Sequence, residues 1–160
     1  MRSLLFAPAN RADLIGKFPR YRADAFAVDL EDGVPEAGKA AARGDLARIV
    51  DLLRQQGLKG KLFVRTNHAR SQHFLPDLAA ALDTPIDGIM VPKLETAGDL
   101  QAIGSVSDRE IEVIGLIETA KGVQNAETLA GGQIANLCAL AFGAEDFITD
   151  IGGRRSADGL

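Results

Sequence analysis

The feature that most constrains this chain is a rhythm. Six short apolar runs recur at intervals of roughly 20 to 40 residues: Leu4 to Ala7, Ala25 to Leu30, Lys61 to Arg65, Gly88 to Val91, Glu112 to Ile117 and Leu137 to Phe142. Helix-like segments lie between them, at Arg11 to Phe18, Glu36 to Gln56, Leu75 to Leu82, Thr96 to Ile103 and Val123 to Leu129. Strands alternating with helices imply crossover connections and parallel pairing. The runs are apolar throughout rather than alternating with polar residues, as expected of strands covered on both faces. Pro8 and Pro92 close two of the strands, Gly57 stops the long helix, and Thr96 suits an N-cap. Both a doubly wound sheet and a (β/α)8 barrel satisfy this rhythm.

Composition excludes several classes. The chain is 46% hydrophobic and 25% charged, which is globular rather than disordered or fibrous composition. A net charge of −4 argues against general nucleic-acid binding. No run of 18 apolar residues exists, so no membrane span is expected, and the apolar stretch at the N-terminus is too short for a signal-peptide core. The single cysteine, Cys138, lies in an apolar run and is expected to be a buried small hydrophobe. A reducing, cytoplasmic location is the expectation.

The polar residues separate the two folds. The second strand opens into Asp29-Leu30-Glu31-Asp32, the third ends in Arg65, the fourth in Lys93, the fifth in Glu118 and the sixth in Glu145-Asp146. In a parallel barrel these ends meet on one face, where such enzymes keep their active sites. An open sheet would draw chiefly on the strands at its switch point. Five successive charged ends therefore favour the barrel.

Glu118 and Asp146 come from adjacent strands, and their carboxylates could share one cation. Magnesium suits them, since it prefers oxygen ligands and needs only one or two protein carboxylates. Either carboxylate could equally serve as a cap or salt-bridge partner. One cysteine and two histidines, His68 and His73, argue against zinc, and both histidines read as surface loop residues. Arg65 offers a planar fork for a substrate carboxylate, or an ion pair with the Asp29, Glu31, Asp32 group. Lys93 could orient a substrate carboxylate, but an ion pair with Glu31 is the expectation. No P-loop, dinucleotide fingerprint or nucleophile elbow is present.

Several segments together resemble one family. They are Arg2-Ser3-Leu4-Leu5-Phe6-Ala7-Pro8-Ala9-Asn10-Arg11, Asp29-Leu30-Glu31-Asp32-Gly33-Val34-Pro35 and Val64-Arg65-Thr66-Asn67. Met90-Val91-Pro92-Lys93-Leu94-Glu95-Thr96, Leu116-Ile117-Glu118-Thr119-Ala120-Lys121-Gly122 and Phe142-Gly143-Ala144-Glu145-Asp146-Phe147 complete the set. In order and in content they resemble the citrate lyase β-subunit-like group of the HpcH/HpaI aldolase family, with Ala9 in place of the usual Gly. The resemblance implies a (β/α)8 TIM barrel and Mg2+-dependent carbon–carbon lyase chemistry on acyl thioesters of the citryl, citramalyl or malyl type. By motif, Glu118 and Asp146 would hold the metal, and Arg65 would hold the carboxylate of a keto acid such as oxaloacetate. Glu31 and Asp32 would steady metal-bound water or Arg65. Phe6, Arg11 and Lys17 would contact the nucleotide of coenzyme A, unless an acyl-carrier protein presents the thioester. A homotrimer or other homo-oligomer is implied. The family's general acid/base resembles an Asp in a C-terminal segment, often supplied to a neighbouring subunit, and no residue of this sequence matches it.

Two other functions fit the same residues: a relative that binds Mg2+ and a keto acid without turnover, and an Mg2+-dependent aldolase on free hydroxy-keto acids. Six βα units fill the 160 residues, whereas a closed barrel has eight and typically about 250 residues. The expectation is one barrel domain over residues 1–160, incomplete at its C-terminal end.

Overall fold

The computed structural model describes residues 1–106, 109–132 and 136–156. Six strands, β1 Leu4–Pro8, β2 Ala25–Asp29, β3 Lys61–Arg65, β4 Gly88–Val91, β5 Glu112–Ile117 and β6 Leu137–Phe142, form one sheet in the order β1 to β6. Every neighbouring pair is parallel. Sequential order in a parallel sheet is the winding of a TIM barrel, and the sheet is an arc of that architecture. It is not closed, because β1 and β6 are its two outer strands.

The helices are α1 Ala12–Ile15, α2 Lys39–Gly44, α3 Leu46–Gln55, α4 Phe74–Leu82, α5 Gln101–Val106, α6 Ala120–Gly131 and α7 Ala144–Asp150. Three expected helices are shorter or divided. The first stops at Ile15, and Pro19 lies within a separate 3-10 turn, Phe18–Arg20. The second is a 3-10 turn, Glu36–Gly38, followed by α2 and α3, with the break at Gly44-Asp45, two weak helix formers. The fourth begins as a 3-10 turn, Ala97–Leu100, before α5. Gly57 does end α3. Its φ of 73° is left-handed. Its N–H donates to Arg54 O at 3.0 Å and the Leu58 N–H to Leu53 O at 3.1 Å, the paired bonds of a Schellman cap. α7 has no counterpart among the expected helices. Of the expected polar tail, Gly152–Ser156 is turn and coil, and residues 157–160 lie outside the described residues.

Side-chain alternation splits the core. Phe26, Val28, Leu62, Val64, Ile89, Val91 and Val113 face the helices and pack with Leu46, Val50, Leu53 and Leu78. Ala25, Ala27, Phe63, Met90, Ile114 and Leu116 fill the other face, the barrel interior. Phe63 dominates that layer, and its register partner is Gly88. A Cβ at Gly88 would come within 2.5 Å of the Phe63 ring. The absence of a side chain at residue 88 is what lets the aromatic ring lie inside.

Burial on both faces holds for β2 and β4, every residue of which is buried. It fails for the outer strands, where β1 and β6 are largely half-exposed. Cys138 is exposed for the same reason, contrary to the expectation of a buried thiol. It lies at the start of the outermost strand, its thiol near the Glu112 carboxylate at 3.9 Å. Among the described residues no helix is long and apolar enough to cross a membrane.

Candidate active site at the carboxyl ends of the strands

The site begins with Asp29, the last residue of β2. Its carboxylate takes four hydrogen bonds. Arg65 Nε donates to Oδ1 at 2.7 Å and Arg65 Nη2 to Oδ2 at 2.8 Å. The Glu31 N–H donates to Oδ1 at 2.8 Å and the Gly33 N–H to Oδ2 at 3.0 Å. One buried carboxylate thus shapes the turn after β2 and aims the guanidinium at the end of β3. Gly33 is required there, because a Cβ would lie 2.6 Å from Asp29 Oδ2 and 2.7 Å from Pro8 Cγ.

The turn delivers Glu31 into the site. Its backbone is tied from behind by Lys39, whose ammonium donates to Leu30 O at 3.0 Å and Glu31 O at 2.9 Å. Asn67 Nδ2 donates to Leu30 O at 3.0 Å and to the buried Asp77 at 2.6 Å. The Glu31 carboxyl lies between two cations, Lys93 Nζ at 2.9 Å from Oε1 and Arg65 Nη1 at 3.2 Å from Oε2. Oε2 is buried and has no well-formed hydrogen bond. Burial raises the Glu31 carboxyl to about 7, against the pull of Lys93 and Arg65.

Lys93 follows Pro92 at the end of β4, with φ at 52°. That left-handed conformation costs a non-glycine residue about 1–2 kcal/mol. The Lys93 N–H donates to Glu118 Oε2 at 3.0 Å, while Nζ reaches both Glu31 Oε1 and Asp146 Oδ2, each at 2.9 Å. Burial works against the ammonium's charge, but its hydrogen bonds to Glu31 and Asp146 outweigh this and hold it protonated above the usual lysine range. Arg65 is likewise held charged by Asp29 and Glu31 despite its burial. Its guanidinium lies 5.5 Å from the centroid of the Phe6 ring.

Glu118 extends from the end of β5 and is buried. Burial raises its carboxyl above the usual range, and the Asp146 charge adds to the rise while Lys93 opposes it. Gly143, after β6, packs directly on it, since a Cβ there would overlap Glu118 Oε1 and lie 2.5 Å from Cγ. Asp146 is half-buried in the first turn of α7. The site therefore collects Asp29, Glu31, Glu118 and Asp146 around two cations, with Asp32 exposed at the rim.

Arg65, Glu31, Glu118 and Asp146 are brought together as the sequence indicated, and the expected Lys93–Glu31 and Arg65–carboxylate pairs are present. Asp32 contributes only its charge, felt by Glu31, Arg65 and Lys93. Arg11 and Lys17 stand apart on the exposed α1 segment. Arg11 is committed to Asp13 through two bonds of 2.8 Å, and Lys17 adds charge near the same carboxylate. Phe6 belongs with Arg65. The histidines are not free surface residues, because the segment between β3 and α4 folds back over the strand ends. His68 is half-buried, its Nδ1 without a partner, and burial lowers its affinity for a proton. His73 Nδ1 lies 3.2 Å from Arg43 Nη2, and its Nε2 lies 2.8 Å from Glu36. Two roles escaped the sequence reading: Lys93 as the bridge to Asp146, and Gly143 as the space for Glu118. A glycine immediately after an apolar strand and before an acidic pair was the available signal for the last.

Among the described residues, no group of three or more His, Cys, Asp or Glu is arranged as a preformed metal cluster. The donor chemistry still suits a hard cation. Glu118 and Asp146 are carboxylates close enough for the charge of one to raise the other. The buried Glu31 Oε2 is a further acceptor with no well-formed hydrogen bond, Arg65 Nη1 lying 3.2 Å away.

In barrels of this type the active site lies at the carboxyl ends of the strands, and that is the mouth where these acidic and guanidinium groups converge. The chain belongs to the HpcH/HpaI aldolase/citrate lyase family, whose sequence profile matches residues 2–160. A citrate lyase subunit beta-like protein of Deinococcus radiodurans is 39% identical over 100% of this chain and 57% of its own length. A (3S)-malyl-CoA thioesterase of Cereibacter sphaeroides is 29% identical over 99% of this chain and 54% of its own. The citrate lyase beta subunit of M. tuberculosis, solved with oxaloacetate and magnesium, superimposes with a TM-score of 0.74. It is 34% identical over 98% of this chain and 65% of that one. The protein CitE from the same organism has also been solved with magnesium, acetoacetate and coenzyme A, with a TM-score of 0.75, 34% identity and coverage of 98% and 54%. The chain thus spans little more than half the length of the curated relatives it matches.

Proposed function

We propose that this chain carries the metal-binding and keto-acid-binding part of an Mg2+-dependent lyase that splits a citryl-, citramalyl- or malyl-type thioester into an acetyl thioester and a keto acid. The observation that carries the reading is the Lys93-centred cluster, in which Glu118 and Asp146 converge beside a guanidinium already fixed by Asp29. The magnesium and oxaloacetate held by the M. tuberculosis protein support the same assignment. Glu118 and Asp146 would hold the ion, which supplies Lewis acidity and a template for the substrate oxygens when bound.

The chain's own residues set the rest of the chemistry. Arg65 keeps its planar edge on Asp29, so a substrate carboxylate meets Nη1 and the outer side of Nη2. The cost of orienting that fork is met before substrate arrives. Glu31 faces Nη1 from the other side and restrains it. Asp32 places negative charge at the rim. Phe6 covers one face of the guanidinium and shields it from water. Phe6, Arg11 and Lys17 would meet the thioester's carrier, with Arg11 released from Asp13 to reach a phosphate. Cleavage removes the hydroxyl proton, breaks the carbon–carbon bond so that the hydroxyl-bearing carbon becomes the keto-acid carbonyl, and leaves the thioester fragment as an enolate that takes up one proton in turn, with no net change in protons.

The malyl-CoA thioesterase relatives favour a second reading, hydrolysis of the thioester itself. Incubation of the protein with citryl-, citramalyl- and malyl-CoA plus Mg2+ separates the two. The lyase yields acetyl-CoA and a keto acid, and the thioesterase yields free coenzyme A and the hydroxy acid. Product formation that is equal in wild type and Glu118→Ala would remove this site from either reaction.

A further inference from the structure

Lys93 does more at this site than the pairing with Glu31 that its sequence position suggests. Its N–H and its ammonium both engage the carboxylates proposed to hold the ion: the N–H is on Glu118 at 3.0 Å and Nζ on Asp146 at 2.9 Å. The left-handed backbone is what makes both contacts possible from one residue. The ammonium therefore occupies the acidic position that a divalent cation would share.

The third contact supplies a place for the ammonium to go. Glu31 Oε1 already accepts from Nζ at 2.9 Å, and Glu31 Oε2 is buried with no well-formed hydrogen bond. Lys39 holds the Glu31 carbonyl and, with Asn67, the Leu30 carbonyl before it, so Glu31 is a fixed acceptor between Lys93 and Arg65. An ammonium leaving Asp146 keeps the bond it already makes to Glu31 Oε1. The charged and titratable groups around it are Glu31, Asp32, Asp146, Glu118 and His68.

We propose that Lys93 is the resident counter-cation of the site, a positioning residue whose ammonium holds Asp146 when no divalent ion is present and withdraws onto Glu31 when one binds. This rests on the reading that Glu118 and Asp146 hold the ion. Two opposed consequences follow. Lys93 stabilises the metal-free protein by neutralising its carboxylates, and it weakens metal affinity by competing for Asp146. A merely structural lysine would move both quantities in the same direction, because its loss would disorder the site.

The experiment is a titration with Mn2+, following the free ion by electron paramagnetic resonance, on wild type, Lys93→Gln, Lys93→Gly, Glu118→Gln and Asp146→Asn. Thermal unfolding is measured with and without the ion. The glycine variant tolerates the left-handed backbone without strain and guards against misfolding. The expected result is a lower metal-free Tm for both Lys93 variants together with Mn2+ binding about tenfold tighter than wild type. Mn2+ affinity at or below wild type in both Lys93 variants, with Glu118→Gln abolishing wild-type binding, overturns the counter-cation role and leaves the metal site standing. Wild-type binding that Glu118→Gln and Asp146→Asn leave unchanged overturns the metal site, and the counter-cation role with it.

Discussion

The two mouths of the barrel arc carry similar numbers of charges and use them differently. At the amino ends of the strands, acids and bases pair one to one near solvent: Arg2 with Asp24, Arg54 with Asp87 and Lys61 with Glu112. At the carboxyl ends, Asp29, Glu31 and Glu118 are buried, and with Asp146 they outnumber the cations Arg65 and Lys93. Exposed pairs contribute little to stability. Buried carboxyls in excess of their partners cost stability unless a ligand completes them. The contrast separates a face whose charges are balanced near solvent from a face whose buried carboxyls exceed its cations.

The severest test of this contrast is Asp29→Ala. It strands the Arg65 guanidinium and two backbone N–H groups in a buried setting, and equilibrium urea unfolding should show a loss of about 3–5 kcal/mol. A loss below about 1 kcal/mol would mean that the guanidinium is free to find water, and that Asp29 does not anchor it. Gly143→Ala probes the other side of the site. The added methyl meets the Glu118 carboxylate, so Mn2+ binding should fall by about tenfold or more with the fold retained in circular dichroism. Unchanged binding would show that Glu118 has room to move and that the glycine serves another purpose.

Glu31 gives a subtler, pH-dependent signal. Its carboxyl sits near 7 in the folded protein, above the ordinary 4.5, so the native state takes up this proton first. The stabilisation is complete below about 4.5 and is lost as the pH rises through 7. The urea midpoint of wild type should therefore fall between pH 5 and pH 8 by more than that of Glu31→Gln. Parallel profiles would show that Lys93 and Arg65 keep Glu31 ionised throughout. At the opposite mouth, Lys61→Met removes an exposed partner of Glu112 and should leave Tm within the reproducibility of the scan. A clear drop there would erase the distinction between the two faces.

Much of this arrangement was legible in the residues, for identifiable reasons. All six strands lie where apolar runs stop at proline or charge, because a strand buried between layers leaves an unbroken signature. The charged residues after those runs marked the site, and the fork of Arg65 beside three acids marked its ion pairs. Helix limits were less legible. Gly44-Asp45 breaks a segment whose apolar spacing continues across it, and α7 is too short to show a period. The exposure of Cys138 depends on which strand lies outermost, a property of the sheet rather than of the run that contains it. The bridge from Lys93 to Asp146 depends on one left-handed backbone torsion, which neither a lysine nor its neighbours announce.

The Phe63–Gly88 contact inside the barrel carries a consequence for how sequences of this kind can drift. A side chain at 88 would meet the Phe63 ring on one neighbouring strand and the Glu112 backbone carbonyl on the other, so trimming the ring does not make room for one. Residue 88 should therefore stay glycine whatever stands at 63, while the ring at 63 can shrink only by leaving a void in the barrel interior.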